Sequence, residues 1–162
     1  MTLAQRIRAM PTIPEPWPHA VLDDFLPEQA FADLLGVIEV GKRLRELPQS
    51  VNEVCRDPEV LSAIADRFAF PVSSKMQLEV AWTGSCGLKA HVDRADKEWS
   101  GQVYLAGDPK GTELFDASGQ MVHVIEWKPN RLACWTRPPN KEKHAGPKST
   151  GRHVLLYWIM RA

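Results

Sequence analysis

Apolar residues are spaced differently in the two parts of the chain, and this change predicts helices first and strands afterwards. In roughly the first 70 residues they recur every three or four positions, as at Phe31, Leu34 and Ile38, which is the spacing of one helix face. From about residue 76 onwards apolar and polar residues alternate, as around Leu78 and Val80, which is typical of half-buried strands. The pattern therefore predicts an α+β protein that is mainly β.

Two helix starts carry recognisable capping residues. Thr2 and Gln5 have the spacing of a capping box, in which each side chain bonds to the backbone of the other residue. Asp57 is a favourable N-cap, and Pro58 suits the first helical position because an N–H there would have no partner. Residues 41–56 are polar and predict no definite element.

Short strands separated by glycine and proline turns make up the second part of the chain. After a strand from Met76 to Trp82, further strands are predicted near 88–92, 101–106, 112–116, 121–126, 131–136 and 152–160. Regular short strands of this kind favour a barrel or a jelly roll, with the preceding helices packed on one face of the sheet. We expect a single domain over 1–162, with a helical part at about 1–70 and the strand core at about 76–160.

Composition excludes several classes of function. Lys and Arg number 20, as do Asp and Glu, so the net charge is zero and a nucleic-acid partner is not expected. No apolar run is long enough to span a bilayer, and the N-terminus lacks a signal peptide, which predicts a cytoplasmic protein without a membrane partner. The 3 cysteines form no C-x-x-C motif, which argues against a disulfide framework and a zinc ribbon.

His91 and Asp93 form an H-x-D pair at the end of a predicted strand. Residues two apart in a strand point to the same side, so the imidazole and the carboxylate converge on one point. With a second histidine they would form the facial triad of non-haem Fe(II) oxygenases, which leaves metal positions open. A pair this short is weakly specific by itself, because a lone histidine is more often a structural hydrogen-bonding group.

The segments around this pair follow one another in a characteristic order. They are Gly87-Leu88-Lys89-Ala90, His91-Val92-Asp93, Val103-Tyr104-Leu105, Gly111-Thr112-Glu113-Leu114, Leu132-Ala133-Cys134-Trp135, His144 and Gly151-Arg152. This succession resembles the Fe(II)/2-oxoglutarate-dependent dioxygenases, in particular the prolyl 4-hydroxylase-like branch, over about residues 76–160. The resemblance implies a double-stranded β-helix, which is a jelly roll with the metal in its mouth.

The resemblance also implies roles for individual residues. His91, Asp93 and His144 would bind Fe(II), and Arg152 would pair with the distal carboxylate of 2-oxoglutarate. Tyr104 would donate a hydrogen bond to the same co-substrate. A role for Arg152 as an anion anchor agrees with its chemistry, because a guanidinium binds a carboxylate with two parallel hydrogen bonds and stays charged when buried. Arg152 also lies in a strongly apolar segment, where an unpaired charge would be costly.

Alternatives remain for two of these assignments. His123 and His153 compete with His144 for the third metal position, although the order of motifs favours His144. His123 alternates with valines in a predicted strand, and His153 would point away from its neighbour Arg152. Lys148 offers a second cation near Arg152 and is an alternative anchor for 2-oxoglutarate.

The implied reaction couples oxidation of 2-oxoglutarate by O2, which yields succinate and CO2, to hydroxylation of a substrate C–H bond. The carboxylate of Asp93 favours hydroxylation over halogenation, since related halogenases have a small residue there. A small molecule such as an amino acid or biosynthetic intermediate is the expected substrate, and a protein side chain is the main alternative. The candidate substrate pocket comprises Trp82, Arg94, Trp99 and Trp135. Arg94 and Trp99, together with Lys97, are predicted to lie on a loop after Asp93.

Two hypotheses from other classes stay open. The domain could be a jelly-roll protein that binds a metal or senses a ligand without catalysis, and a closed four-ligand zinc site would favour that interpretation. It could also be a cupin-like metalloenzyme that does not use 2-oxoglutarate. Such folds usually carry clustered histidines, and this sequence contains no H-x-H motif.

Overall fold

Two antiparallel sheets face each other in the computed structural model of this protein, and helices cover the outer face of the larger sheet. The structure describes residues 1–72, 75–83, 87–137, 142–146 and 151–161. Within these ranges the order of elements is four helices and one strand, followed by eight strands. The predicted change from helices to strands is therefore confirmed, and the short first strand lies between the first two helices.

The nine strands of the described residues divide into a sheet of five and a sheet of four. In chain order they are β1 (His19–Leu22), β2 (Met76–Thr83), β3 (Leu88–His91), β4 (Lys97–Gly107), β5 (Thr112–Phe115), β6 (Met121–Ile125), β7 (Leu132–Thr136), β8 (Lys143–Gly146) and β9 (Arg152–Met160). The larger sheet has the order β1-β7-β4-β9-β2, and the smaller has the order β3-β8-β5-β6. Neighbours in both sheets are antiparallel.

Strand β8 is the one strand that the hydrophobic pattern did not predict. It is four residues long and pairs with β3 on one side and with β5 on the other. Its sequence, Lys-His-Ala-Gly, has no apolar alternation, so its extended conformation depends on these neighbouring strands rather than on local preference. The pairing places His144 directly opposite both His91 and Leu114.

Two of the four described helices begin at a residue whose side chain caps the helix. The four helices are α1 (Leu3–Ala9), α2 (Glu28–Val37), α3 (Gln49–Arg56) and α4 (Pro58–Phe68). Thr2 and Gln5 form the predicted capping box, and Asp57 caps α4 with Pro58 in its first turn. Helix α3 lies in the segment for which the sequence predicted no definite element, and its Val51 and Cys55 are buried. No helix in the described ranges is long and apolar enough to cross a membrane.

The main hydrophobic core lies between the helices and one face of the larger sheet. Ile7, Leu34 and Ile64 of the helices are fully buried there, together with Val103 of β4 and Leu155 of β9. The opposite face of the larger sheet turns towards the smaller sheet. A second apolar cluster fills part of that space and includes Trp17, Leu114, Trp135 and Val154. Because side chains alternate along a strand, β4 and β9 each supply one row to the core and one row to the space between the sheets.

The prediction that Trp99 lines a substrate pocket is wrong. Trp99 is not on a loop but in β4, and its side chain is fully buried in the main core. Its ring packs edge-on against Tyr157, at a centroid distance of 5.1 Å, and also contacts Phe68 of α4. Trp99 shares the odd-numbered face of β4 with Val103, so the period of the strand directs it towards the helices.

We expect Asp57→Ala to lower the free energy of unfolding by about 1 kcal/mol, because the side chain of Asp57 accepts a hydrogen bond from the backbone N–H of Glu59. Asp57→Asn keeps an acceptor at the N-cap and should change stability by only a few tenths of a kcal/mol. Urea unfolding followed by circular dichroism measures both variants. Equal losses in the two variants would show that the cap does not stabilise α4.

Candidate active site

Three potential metal ligands converge at the open end of the space between the sheets. His91 is the last residue of β3, Asp93 follows two positions later, and His144 is on β8. One ligand atom from each of the three lies within 4.8 Å of those of the other two. The rings of His91 and His144 are 4.3 Å apart between centroids because β3 and β8 are paired at these two residues. Within the described residues, this is the one cluster of His, Cys, Asp or Glu with such spacing.

Both histidines are suited to bind a cation. The Nδ1 of His91 lies 2.9 Å from the backbone carbonyl of Lys89, so a proton on Nδ1 would leave the lone pair of Nε2 available. Burial lowers the pKa of His144 to about 4, although Asp93 partly opposes this shift. His144 is therefore neutral at pH 7, as a metal ligand must be. Its Nδ1 is buried and has no hydrogen-bond partner among the described residues.

Asp93 is almost completely buried, and each of its carboxylate oxygens has a partner. The ammonium of Lys97 lies 2.7 Å from Oδ1, and the indole N–H of Trp135 donates to Oδ2 over 3.0 Å. Burial favours the neutral acid, but the interactions with His144, Lys97 and Trp135 outweigh it and lower the pKa of Asp93. The carboxylate is thus charged at neutral pH and fixed in orientation, with Oδ2 4.0 Å from Nε2 of His144.

Arg152 opens β9 and points into the same cavity as the three potential ligands. Its side chain is 2% exposed, and its guanidinium donates to the backbone carbonyl of Gly111 over 2.6 Å and to that of Lys110. The Nε is 3.4 Å from the hydroxyl of Thr83. Two carbonyls and a hydroxyl hold the guanidinium in place without neutralising its charge.

The guanidinium has no carboxylate within salt-bridge distance in the described ranges. Burial lowers the pKa of Arg152, and Tyr104, Asp108 and Glu113 offset part of that effect at longer range. Arginine still keeps its proton. A buried cation without a charged partner is costly, and a bound anion would remove this cost. The cavity therefore combines a cluster suited to a metal with a cation suited to a carboxylate.

Tyr104 packs against the guanidinium of Arg152 and does not line the cavity. Its hydroxyl donates to Thr112 over 2.8 Å, and the guanidinium carbon of Arg152 is 6.0 Å from the centroid of its ring. Thr112 itself lines the cavity and also accepts a hydrogen bond from the side chain of Gln102. The predicted contact between Tyr104 and a co-substrate would thus require a rearrangement, whereas the Thr112 hydroxyl already lies at the cavity wall.

Two of the residues predicted to contact substrate line the cavity, namely Trp82 and Trp135. Arg94 does not line the cavity, so its contact with substrate stays a prediction. Its side chain is exposed on the loop after Asp93 and pairs with Asp96, which directs it to solvent. A charged residue on a short loop is stabilised by water and a local partner, so proximity in sequence to the metal motif does not bring it into the cavity.

Sequence reasoning missed several residues of the cavity wall. They are Arg43, Thr83, Gln102, Thr112 and Trp158. Lys97 also lines the cavity, although the sequence placed it only on the loop after Asp93. The two-residue period of a strand could have predicted that Trp158 faces the cavity, because Trp158 lies six positions after Arg152 and therefore on the same face of β9. No pattern in the sequence indicated Arg43, because a long-range backbone bridge between Leu44 and Val80 holds it beside the cavity.

The alternative histidines do not reach the metal cluster. His123 is exposed on β6, where its ring neighbours His19 at 5.6 Å. His153 points to the opposite side of β9 from Arg152, as predicted, and its Nε2 is 3.1 Å from the backbone carbonyl of Glu39. The alternative anchor Lys148 lies outside the described residues.

We expect Trp135→Phe to weaken metal binding by about tenfold, because it removes the hydrogen bond that orients Asp93. Trp82→Phe is the matched control, since Trp82 lines the same cavity without a bond to the metal cluster. Its metal affinity should change by less than about twofold. Calorimetric titration of both variants with Mn2+ measures the difference, and equal affinities would show that Trp135 does not position the carboxylate.

Comparison with known proteins gives a match in structure but not in sequence. No protein-family model matches this chain, and no curated protein is significantly similar to it. Among solved structures, a prolyl-4-hydroxylase from Pseudomonas putida superposes with a TM-score of 0.66 at 16% identity, covering 99% of this chain and 95% of the other.

Two further structures extend this similarity. The viral collagen prolyl hydroxylase of Paramecium Bursaria Chlorella virus-1, solved as its 2OG complex, has a TM-score of 0.60 at 17% identity and covers 89% of this chain and 96% of its own. A Trichoplax adhaerens prolyl hydroxylase, in complex with a peptide fragment of the hypoxia inducible factor oxygen degradation domain, has a TM-score of 0.58 at 12% identity. The coverage is 98% of this chain and 87% of the other. The chain thus shares the fold of prolyl hydroxylases.

Proposed function

We propose that the protein is an Fe(II)- and 2-oxoglutarate-dependent oxygenase that hydroxylates a C–H bond. The observation that carries this proposal is the presence of the His91, Asp93 and His144 cluster and the buried guanidinium of Arg152 in one cavity. The shared fold supports it, since one structural neighbour was solved with 2OG bound. We further propose that the two facing sheets form a double-stranded β-helix with the metal cluster at its mouth.

The three clustered side chains fit a ferrous ion. Two imidazoles and one carboxylate are the donor set that non-haem Fe(II) oxygenases use, and Asp93 and His144 are in the protonation states required for binding. When bound, Fe(II) would supply the redox chemistry that couples oxidation of 2-oxoglutarate to substrate hydroxylation. Lys97 and Trp135 would keep the carboxylate of Asp93 oriented throughout, because each bonds one of its oxygens.

Arg152 would hold the distal carboxylate of 2-oxoglutarate. The carbonyls of Lys110 and Gly111 fix the guanidinium, so little conformational entropy is lost when the anion binds. The hydroxyls of Thr83 and Thr112 lie on the same wall and would donate further hydrogen bonds to the carboxylate. Trp82 packs against Gly151, where a Cβ would come within 2.9 Å of the indole, and it would help to exclude water from this end.

Two substrate classes follow from different observations. A small molecule is our first proposal, since it would fit between the metal cluster and the apolar wall formed by Val154, Leu156 and Trp158. A peptide carrying proline is the second, because the structural neighbours are prolyl hydroxylases and one was solved with a peptide. Succinate formation measured with amino acids and with proline-containing peptides separates the two classes.

An anaerobic titration of the metal-free protein with Fe(II) and 2-oxoglutarate tests the proposed function. We expect the weak visible charge-transfer band that forms when a 2-oxo acid chelates Fe(II). Succinate, which lacks the keto group, is the matched control and should give no band. Binding of Fe(II) without a band would contradict the use of 2-oxoglutarate and favour a metal-binding protein of another kind.

A further inference from the structure

The cavity that holds the metal cluster also runs along β9, away from Arg152. Along β9, Arg152, Val154, Leu156 and Trp158 all line it, and six residues of a strand span about 20 Å. Arg152 marks the end at which the proposed function places 2-oxoglutarate. Trp158 marks the other end, which is therefore the part of the cavity left for substrate.

Two cations lie at this second end. The ammonium of Lys97 sits 4.2 Å from the centroid of the Trp158 ring, and its side chain is only 13% exposed. Arg43 also lines the cavity and lies 3.5 Å from a carboxylate oxygen of Glu79. Arg45 is a second partner of the same carboxylate, at 3.6 Å, but it is not part of the cavity wall.

Among the residues that the structure describes, the positive charges of this end exceed the negative charges that pair with them. Arg43 and Arg45 share the single carboxylate of Glu79. Lys97 pairs with Asp93, whose negative charge would be directed to a divalent metal bound at the cluster. Binding of the metal would therefore leave Lys97 without full compensation, in the same cavity as an arginine that already shares its partner. An anion at this position would restore the balance of charge.

We infer that the substrate carries a carboxylate, which Arg43 and Lys97 bind at the Trp158 end of the cavity. This inference rests on the proposed function, since it assigns the opposite end to 2-oxoglutarate. The part of the substrate next to the carboxylate is apolar, because Leu156 and Trp158 form the wall there. The carboxylate would anchor the substrate beside the metal cluster, because the ammonium of Lys97 also lies 2.7 Å from Asp93.

Matched pairs of small molecules test the inference in the full-length protein loaded with Fe(II) and saturating 2-oxoglutarate under anaerobic conditions. The probes are N-acetyl-L-phenylalanine and N-acetyl-L-leucine, each compared with its primary amide by isothermal titration calorimetry. We expect each acid to bind about tenfold more tightly than its amide, because a charge-assisted hydrogen bond is stronger than a neutral one.

Two arginine variants locate the binding site of the acid. Arg43→Gln should remove most of the preference for the acids, whereas Arg45→Gln should retain it within about threefold, because Arg43 lines the cavity and Arg45 does not. Equal affinity for acids and amides, no binding of either acid, or equal loss of the preference in both variants would overturn the inference. A missing charge-transfer band in the starting complex would instead show that the proposed function has failed.

Discussion

Replacing His144 with alanine should abolish high-affinity metal binding. Loss of a group that only orients a ligand costs about 10- to 100-fold in metal affinity, so loss of a ligand itself should cost at least about 100-fold. His144 is buried and neutral, and its Nε2 lies 4.0 Å from Oδ2 of Asp93, so no other described side chain can take its place. Titration with Fe(II) under anaerobic conditions, or with Mn2+ in air, measures the change.

The matched control for this variant is His123→Ala. His123 was an alternative third ligand by sequence, but it is exposed on β6 and outside the cluster. Its removal should leave metal affinity unchanged within about twofold. If His123→Ala weakens binding as much as His144→Ala, the metal does not occupy the proposed cluster. Circular dichroism of both variants shows whether either change disturbs the fold.

The second large effect is expected at Arg152, where substitution by methionine should weaken 2-oxoglutarate binding by roughly 100-fold or more. A hydrogen bond to a charged group contributes about 1.5–3 kcal/mol, and a guanidinium makes two of them with one carboxylate. Arg152→Lys keeps the positive charge but cannot form two parallel hydrogen bonds with a carboxylate. Its affinity for 2-oxoglutarate should therefore lie between those of the native protein and Arg152→Met.

Thermal unfolding separates this binding effect from a loss of stability. At a 2-oxoglutarate concentration of 100 times the dissociation constant, ligand binding should stabilise the metal-loaded native protein by about 2.7 kcal/mol. Arg152→Met should show almost none of this stabilisation. Without ligand, Arg152→Met should unfold near the melting temperature of the native protein. The variant loses the hydrogen bonds to Lys110 and Gly111, but it also avoids the cost of burying a charge. Undiminished stabilisation by 2-oxoglutarate would exclude Arg152 as the anchor and direct attention to Lys148.

The errors of sequence interpretation share one cause, which is that side-chain direction was inferred without strand boundaries. Trp99 was assigned to a loop near the metal motif, but β4 begins at Lys97 and turns Trp99 into the core. Lys97, the first residue of this strand, bonds to Asp93 and lines the cavity. Arg94 precedes the strand and pairs with a neighbouring carboxylate in solvent. Because the predicted strand began at residue 101, four residues after the actual start of β4 at Lys97, the sequence did not place Trp99 inside a strand.

The sequence by itself determined the features that depend on neighbours a few residues apart. Caps at Thr2 and Asp57, the helical spacing of apolar residues and the alternation along β2 are local properties, and the structure confirms them. The succession of motifs also singled out His91, Asp93, His144 and Arg152, although their proposed roles await experiment. Their order along the chain carries this information without any knowledge of distance.

Only the tertiary structure decided which side chains share a cavity and which charges they leave unbalanced. Strand β8 forms because β3 and β5 pair with it, and that pairing brings His144 to His91. The bridge between Leu44 and Val80 places Arg43 beside β9, and burial leaves Arg152 without a carboxylate partner among the described residues. These relations join segments far apart in sequence through packing and backbone pairing, so no local pattern of residues encodes them.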